Sequence, residues 1–159
     1  MLEIIEVREP ADVARAKDLF LEYADWVGVD LCFQGFQAEL DGLPGRYAPP
    51  HGRLLLARDG GQDVGCVALR PMEEEGTCEM KRLYVRPSHR GTGLGRELAE
   101  RVIRAAGAMG YARIRLDTLP VMTTARRLYA KLGFVEIEPY YTNPVEGVVY
   151  MECALDPAS

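Results

Sequence analysis

The sequence is poor in the residues that carry metal, redox and nucleic-acid chemistry. Its 159 residues include two histidines and four cysteines. Cys32, Cys66, Cys78 and Cys153 form no CxxC pair and lie mostly inside apolar segments, so they read as buried reduced thiols. His51 follows two prolines and His89 stands in a glycine-rich loop, with no His, Cys or Asp at ligand spacing, so no metal is expected. Positive charge is also short: 19 Lys and Arg against 24 Asp and Glu leave a net charge of -5, which argues against a nucleic-acid partner and suits a cationic one. No apolar run has the length of a membrane span. The N-terminus, MLEIIEVREP, lacks a basic leader and reads as a first strand, so a cytoplasmic protein without membrane association is expected. Repeats and low-complexity linkers are missing too, and the length predicts one domain over 1–159.

What the chain does contain is an ordinary globular balance, 48% apolar and 27% charged, in a readable order. After the opening strand, Pro10 stands in a first helical turn, and Val13, Ala16, Phe20, Tyr23, Ala24 and Val27 follow at helical spacing up to Gly28. A shorter helix is predicted around FQGFQAEL, then a loop in the glycine- and proline-dense GLPGRYAPPHG. RLLLAR, DVGCVAL and CEMKRLYV form an antiparallel meander joined by turns at DGGQ and RPMEEEGT, with Glu73, Glu74 and Glu75 a solvated cluster in the second turn. A helix over Gly93–Met109 carries Leu94, Leu98, Val102, Ala105 and Met109 on one stripe. RIRLDT, the helix TTARRLYAKLG, the strand FVEIE, the loop PYYTNPVEG and the strand VVYMECAL complete the order.

A helical crossover joins CEMKRLYV to RIRLDT, so those strands run parallel inside an otherwise mostly antiparallel sheet. This is an α/β (α+β) fold. In CEMKRLYV the apolar residues Cys78, Met80, Leu83 and Val85 change parity between 80 and 83, which predicts an inserted residue near Lys81 or Arg82. Such a β-bulge splays the strand from its parallel neighbour and frees backbone groups for a ligand.

The segment leaving that strand is RGTGLG, Arg90 to Gly95, at the start of the crossover helix. Glycines at 91, 93 and 95 let backbone N–H groups converge on an anion at the positive end of the helix, with Arg90 and Arg96 as cationic donors beside it. A pyrophosphate fits this pattern. The dinucleotide fingerprint GxGxxG fails in both registers, since Arg96 or Leu98 stands where its last glycine belongs, and no GK[ST] follows for a Walker A loop. A dinucleotide-dependent oxidoreductase would be stabilised by nicotinamide nucleotides, and no such effect is expected.

Read as [QR]-x-x-G-x-[GA] after a strand ending in LYV, with ARRLYAKLGF as a second recurrent segment, the chain resembles the GNAT superfamily of N-acetyltransferases along most of its length. The resemblance implies a sheet of about seven strands with helices on both faces and a splayed central parallel pair. It implies acetyl-CoA as cosubstrate and no metal, with Arg90, Gly91, Thr92, Gly93, Leu94 and Gly95 holding the pyrophosphate, Arg96 adjacent, and Leu83, Tyr84 and Val85 beside the pantetheine arm. Glu79 precedes Arg90 by the interval of the glutamate that acts as general base in histone-acetylating members. The residues alone also allow a surface carboxylate paired with Lys81. Tyr129 resembles the family tyrosine that serves as general acid near the CoA sulfur. Ala125, Leu128, Tyr129 and Leu132 equally describe a core-facing helix stripe. Met122 stands where the family usually has asparagine, so one cofactor hydrogen bond is expected to be missing.

Phe33, Tyr140, Tyr141 and Asn143 are the candidates for an acceptor pocket, although exposed turn aromatics or a hydrophobic hinge account for them as well. His89 faces phosphate or solvent. No cysteine falls beside a histidine, so direct transfer to a primary amine of a small molecule or peptide is expected, without an acyl-enzyme. A non-catalytic acyl-CoA sensor on the same fold is the alternative, and a homodimer is plausible from the sheet edges.

Overall fold

The computed structural model describes residues 1–28, 35–120, 122–143 and 145–155. Seven strands form one sheet: β1 (Leu2–Glu6), β2 (Arg53–Asp59), β3 (Gln62–Pro71), β4 (Thr77–Val85), β5 (Arg113–Thr118), β6 (Val135–Ile137) and β7 (Val149–Ala154), in the order β1-β2-β3-β4-β5-β7-β6. Four α-helices accompany them: α1 (Pro10–Val27), α2 (Phe36–Asp41), α3 (Leu94–Ala108) and α4 (Thr123–Lys131). Pro10 opens α1 as predicted, and Gly28 closes it in the left-handed region with φ 71°.

Strands β1 to β4 pair antiparallel, as do β5, β7 and β6, while β4 and β5 pair in parallel. That parallel ladder is short: it joins Thr77 to Arg113, Cys78 to Ile114 and Glu79 to Arg115, and it goes no further toward the strands' C-terminal ends. The cause lies in β4. Between the pairs Cys66 with Tyr84 and Ala68 with Lys81, β3 advances by two residues and β4 by three. The extra residue is Arg82, whose φ of 59° is a left-handed conformation in a non-glycine residue. The parity change in the sequence is this bulge.

The two faces of the sheet bury separate cores. On one, Leu69, Cys78, Met80, Ile114 and Leu116 pack with Leu94, Leu98 and Val102 of α3 and with Tyr129 of α4. On the other, Leu54, Leu56, Cys66, Ala68 and Tyr84 pack with Ala16, Leu19 and Phe20 of α1 and Leu40 of α2. The described cysteines Cys66, Cys78 and Cys153 are free and buried; burial pushes the Cys78 thiol up to about 12, so it carries no thiolate at neutral pH. Among the described residues no helix is long and apolar enough to cross a membrane, and no group of His, Cys, Asp and Glu is placed to hold a metal ion.

Helix α3 is held by its apolar stripe, with Leu98 fully buried at 0% exposure beneath the meander. Gly65 of β3 permits this approach, since a Cβ there would stand 3.2 Å from the Leu98 Cδ1. Leu98→Ala is expected to cost about 2–5 kcal/mol of unfolding free energy. Urea denaturation measures it, and a loss below about 1 kcal/mol would show that α3 is not anchored through this side chain.

Candidate active site

The turn from β4 into α3 runs through a 3-10 turn at Pro87–His89, then Arg90, Gly91, Thr92 and Gly93. Gly91 and Gly93 hold φ of 78° and 89°, conformations that favour glycine, and a Cβ built on either meets no atom within 4 Å. The space above them is open. Thr92 Oγ1 donates to the His89 carbonyl at 2.6 Å and fixes the loop. Glu97 N–H donates to the Gly93 carbonyl, so the amides of Leu94, Gly95 and Arg96 precede the first intrahelical donor and point out of the helix start. Diphosphate oxygens fit a cradle of that kind. Gly95 differs from the sequence expectation: its φ is not left-handed, and a Cβ would make ordinary contact with Val85 Cγ2 at 3.8 Å.

The flanking cations have partners within the protein. Arg90 Nε donates to the Val85 carbonyl at 2.9 Å, and its guanidinium lies 4.8 Å over the Trp26 ring. Arg96 pairs with Glu100 at 2.9 Å along α3. His89 is partly exposed, with Nε2 2.8 Å from Asp59 Oδ2.

Past the end of the parallel ladder, β4 and β5 open into a narrow cleft. Lys81, Arg82 and Leu83 of the bulge form one wall, Leu116, Asp117 and Thr118 of β5 the other, and Trp26, Met122 and Tyr129 close it from the helices. Met122, at the start of α4, makes no side-chain cap, consistent with loss of the polar group expected there. Tyr129 is 7% exposed, with its ring 5.8 Å from that of Phe134; burial pushes its phenol above the usual tyrosine range. Arg82 leaves the bulge toward α2 and binds both Glu39 oxygens at 2.9 Å. Its guanidinium sits 5.1 Å from the Phe36 ring.

Beside the cleft, on the α1/α2 face of the sheet, lies a layer of buried charge. Glu79 is 2% exposed, and Arg70, its cross-strand partner on β3, binds Oε1 through Nε at 2.9 Å and a second nitrogen at 2.8 Å. The alternative of a surface carboxylate paired with Lys81 is therefore corrected: Glu79 is interior and its ion pair is with Arg70. Lys81 Nζ instead lies 3.5 Å from Asp117 Oδ1. The loop before β7 covers both carboxylates. Tyr140 donates its phenol to Glu79 Oε2 at 2.7 Å, and Tyr141 donates to Asp117 Oδ2 at 2.6 Å. Burial, then the neighbouring carboxylate, pushes each phenol upward, so both stay protonated as donors. Asn143 Nδ2 donates to the Tyr141 hydroxyl at 3.0 Å, while its Oδ1 accepts the Val145 N–H at 2.9 Å. Tyr140, Tyr141 and Asn143 thus belong to the charged layer and do not stand free as turn decoration. A wider opening, lined by Arg46, Arg70, Glu79, Arg115, Tyr140 and Tyr141, reaches Glu79 from this side.

Leu83, Tyr84 and Val85 sit on β4 between the bulge and the glycine loop, with Leu83 lining the cleft and the Tyr84 ring 5.6 Å from that of Trp26 and tilted 54° to it. Phe33 lies outside the described residues. The sequence reading missed Arg70, Lys81, Trp26 and the place of Asp117. The alternation Arg113, Arg115, Asp117 against Ile114, Leu116, Thr118 carried a signal for the last, because it puts Asp117 on the charged face of β5.

This arrangement, a splayed parallel pair beneath a glycine-lined helix start in a mixed seven-stranded sheet, is that of an α/β acyltransferase fold. The chain belongs to the acetyltransferase (GNAT) family, whose profile matches residues 15–134. It is 46% identical over 151 residues to an uncharacterized N-acetyltransferase of Schizosaccharomyces pombe, covering 94% of this chain and 93% of that protein. A second uncharacterized N-acetyltransferase, from Dictyostelium discoideum, is 30% identical over 204 residues, covering 91% of this chain and 94% of the other. Among solved structures, a GNAT-family acetyltransferase of Staphylococcus aureus superposes with a TM-score of 0.80 over 98% of this chain and 99% of its own, at 20% identity, a likeness of fold.

Removing one phenol hydroxyl from the charged layer tests its energetics. Tyr140→Phe is expected to cost about 1.5–3 kcal/mol, the worth of a hydrogen bond to a charged group. A double-mutant cycle with Glu79→Gln, read by denaturant unfolding, should show coupling between the two positions. Strict additivity would show that the bond contributes nothing.

Proposed function

We propose that this chain transfers the acetyl group of acetyl-CoA directly to a primary amine of a small molecule or peptide. The observation that carries the reading is the opening of β4 from β5 at the Arg82 bulge, directly below the glycine turn. The amides at the start of α3, with Gly91, Thr92 and Gly93, hold the diphosphate of acetyl-CoA, which when bound supplies the thioester. Arg90, stacked on Trp26, shapes the edge of that cradle. Backbone of Leu83, Tyr84 and Val85 binds the pantetheine arm, and N–H groups at the bulge face the acyl oxygen as it gains negative charge.

Glu79 takes the proton from the incoming amine, directly or through water. An aliphatic amine is protonated at neutral pH, so this step cannot be omitted. Glu79 is suited to it by position: it lines the wide opening, and Arg70 and Tyr140 fix its carboxyl group. Tyr140 and Tyr141, anchored by Asn143, line the route by which an acceptor approaches. Phe33 is proposed as a further acceptor contact on sequence grounds alone.

Acetyl-CoA is expected to raise the melting temperature of the protein. Thiol release over a panel of polyamines, amino acids, aminoglycosides and peptides should then be acceptor-dependent for at least one class. Tight CoA binding with no release for any acceptor would favour a sensor over an enzyme. Glu79→Gln should lower kcat by about 10²–10⁴ with little change in CoA affinity; unchanged turnover removes Glu79 from the chemistry.

A further inference from the structure

The cleft between β4 and β5 offers two side chains able to give a proton to a departing sulfur, and they differ in kind. Tyr129 comes from α4, and burial pushes its phenol upward, away from an ordinary thiol near ~8.5. Proton transfer from it to a thiolate runs uphill. Lys81 comes from the facing wall on β4, at the residue before the bulge, with its side chain 4% exposed. The Asp117 carboxylate that holds it is itself fixed by the Tyr141 phenol. Burial pushes the Lys81 ammonium below the usual lysine range, while Glu79 and Asp117 oppose that shift. Arg82 on β4 and Arg70 on β3 are the other charges acting on it, and Tyr23 of α1 faces the same cleft as a neutral phenol.

We propose that Lys81 is a catalytic residue on the acyl side of the cleft: its ammonium, positioned by Asp117, neutralises the charge that collects on the CoA sulfur and delivers the proton that completes the free thiol. The proposal rests on the acetyltransferase reading above. In the step, the amine nitrogen bonds to the acyl carbon as the carbon–sulfur bond breaks and leaves its electron pair on sulfur. A proton on Nζ moves to that sulfur. The proton removed from nitrogen is taken by Glu79, and Lys81 is recharged from it or from solvent, so charge and protons balance without any further reactant. Among the residues lining the cleft, Lys81 and Arg82 are the cations, and Arg82 is turned away to Glu39, which leaves Lys81 as the cation directed at the cleft.

The first arm of the test needs no acceptor. The thiol of bound CoA is titrated by its thiolate absorbance in the wild type, Lys81→Gln and Lys81→Arg, with CoA affinity measured by calorimetry. In Lys81→Gln the bound thiol should become about tenfold less acidic, the effect of removing a nearby opposite charge, while CoA affinity stays within about threefold and Lys81→Arg keeps the wild-type thiol. Equal thiol acidity in all three proteins overturns the proposal, as does an acetyl adduct on Lys81 after incubation with acetyl-CoA, which would make it a nucleophile. If Lys81→Gln does not fold, Lys81→Arg decides: the high-pH fall in kcat set by the lysine should vanish with a guanidinium that never deprotonates, and an unchanged fall overturns the role. A wild-type protein that does not bind CoA at all would sink the acetyltransferase reading, and this inference with it.

Discussion

One inserted residue governs the geometry of this protein. At Arg82 the β4 backbone takes a left-handed turn that a β-strand side chain rarely adopts, and three features follow from it. The β4 ladder to β5 ends after Glu79, the side chains beyond it reverse face, and the Arg82 guanidinium is thrown sideways to α2. A left-handed non-glycine residue costs of order 1–3 kcal/mol and persists where the surroundings over-determine it. Here the surroundings are the bidentate pair with Glu39 and the Phe36 and Tyr23 rings on either side of the guanidinium. The strain and its restraint belong to one residue, which makes the opening in the sheet a fixed property of the fold and not something a ligand must create.

The second constraint is the charge that the sheet carries inside. Buried ions are tolerated when their hydrogen-bonding capacity is met, and here it is met across elements that are distant in sequence. Arg70 and Tyr140 meet at Glu79, from β3 and from the loop before β7. Lys81 and Tyr141 meet at Asp117. Each carboxylate is thus bound by one cation and one phenol, and adjacent tyrosines serve the two. The loop is consequently tied to the chemistry of the site: a movement of Tyr140 and Tyr141 would expose both carboxylates together.

Much of this was legible in the residues. The parity change from Met80 to Leu83 located the bulge because side-chain direction in a strand has period two, so an inserted residue leaves a mark. Gly91 and Gly93 marked the left-handed turn into α3, because such backbone favours glycine. What the sequence could not show was who meets whom across strands. Arg70 faces Glu79 only because the β3–β4 turn sets that register, and turn length alone does not fix it. The tyrosine loop was marked by composition, yet its bonds to Glu79 and Asp117 depend on the antiparallel return of β7 beside β5. Arg90 and His89 show the same limit, since the fold gives Arg90 the Trp26 ring and His89 the Asp59 carboxylate, partners distant in sequence.

The same physics separates the roles of the two faces of the cleft. On the α4 side, Tyr129 packs on Phe134 in an apolar setting, where losing its proton would leave a poorly solvated anion. Its ring therefore serves as a wall. On the β4 side, Lys81 lies in an equally dry setting but beside fixed carboxylates, where burial pushes its ammonium below the usual lysine range and the carboxylates oppose that shift. On the acetyltransferase reading proposed above, a cleft that releases a thiolate needs a cation or a ready proton more than it needs a phenol. By that criterion the acyl side of this site is organised around the strand, with the helix contributing shape.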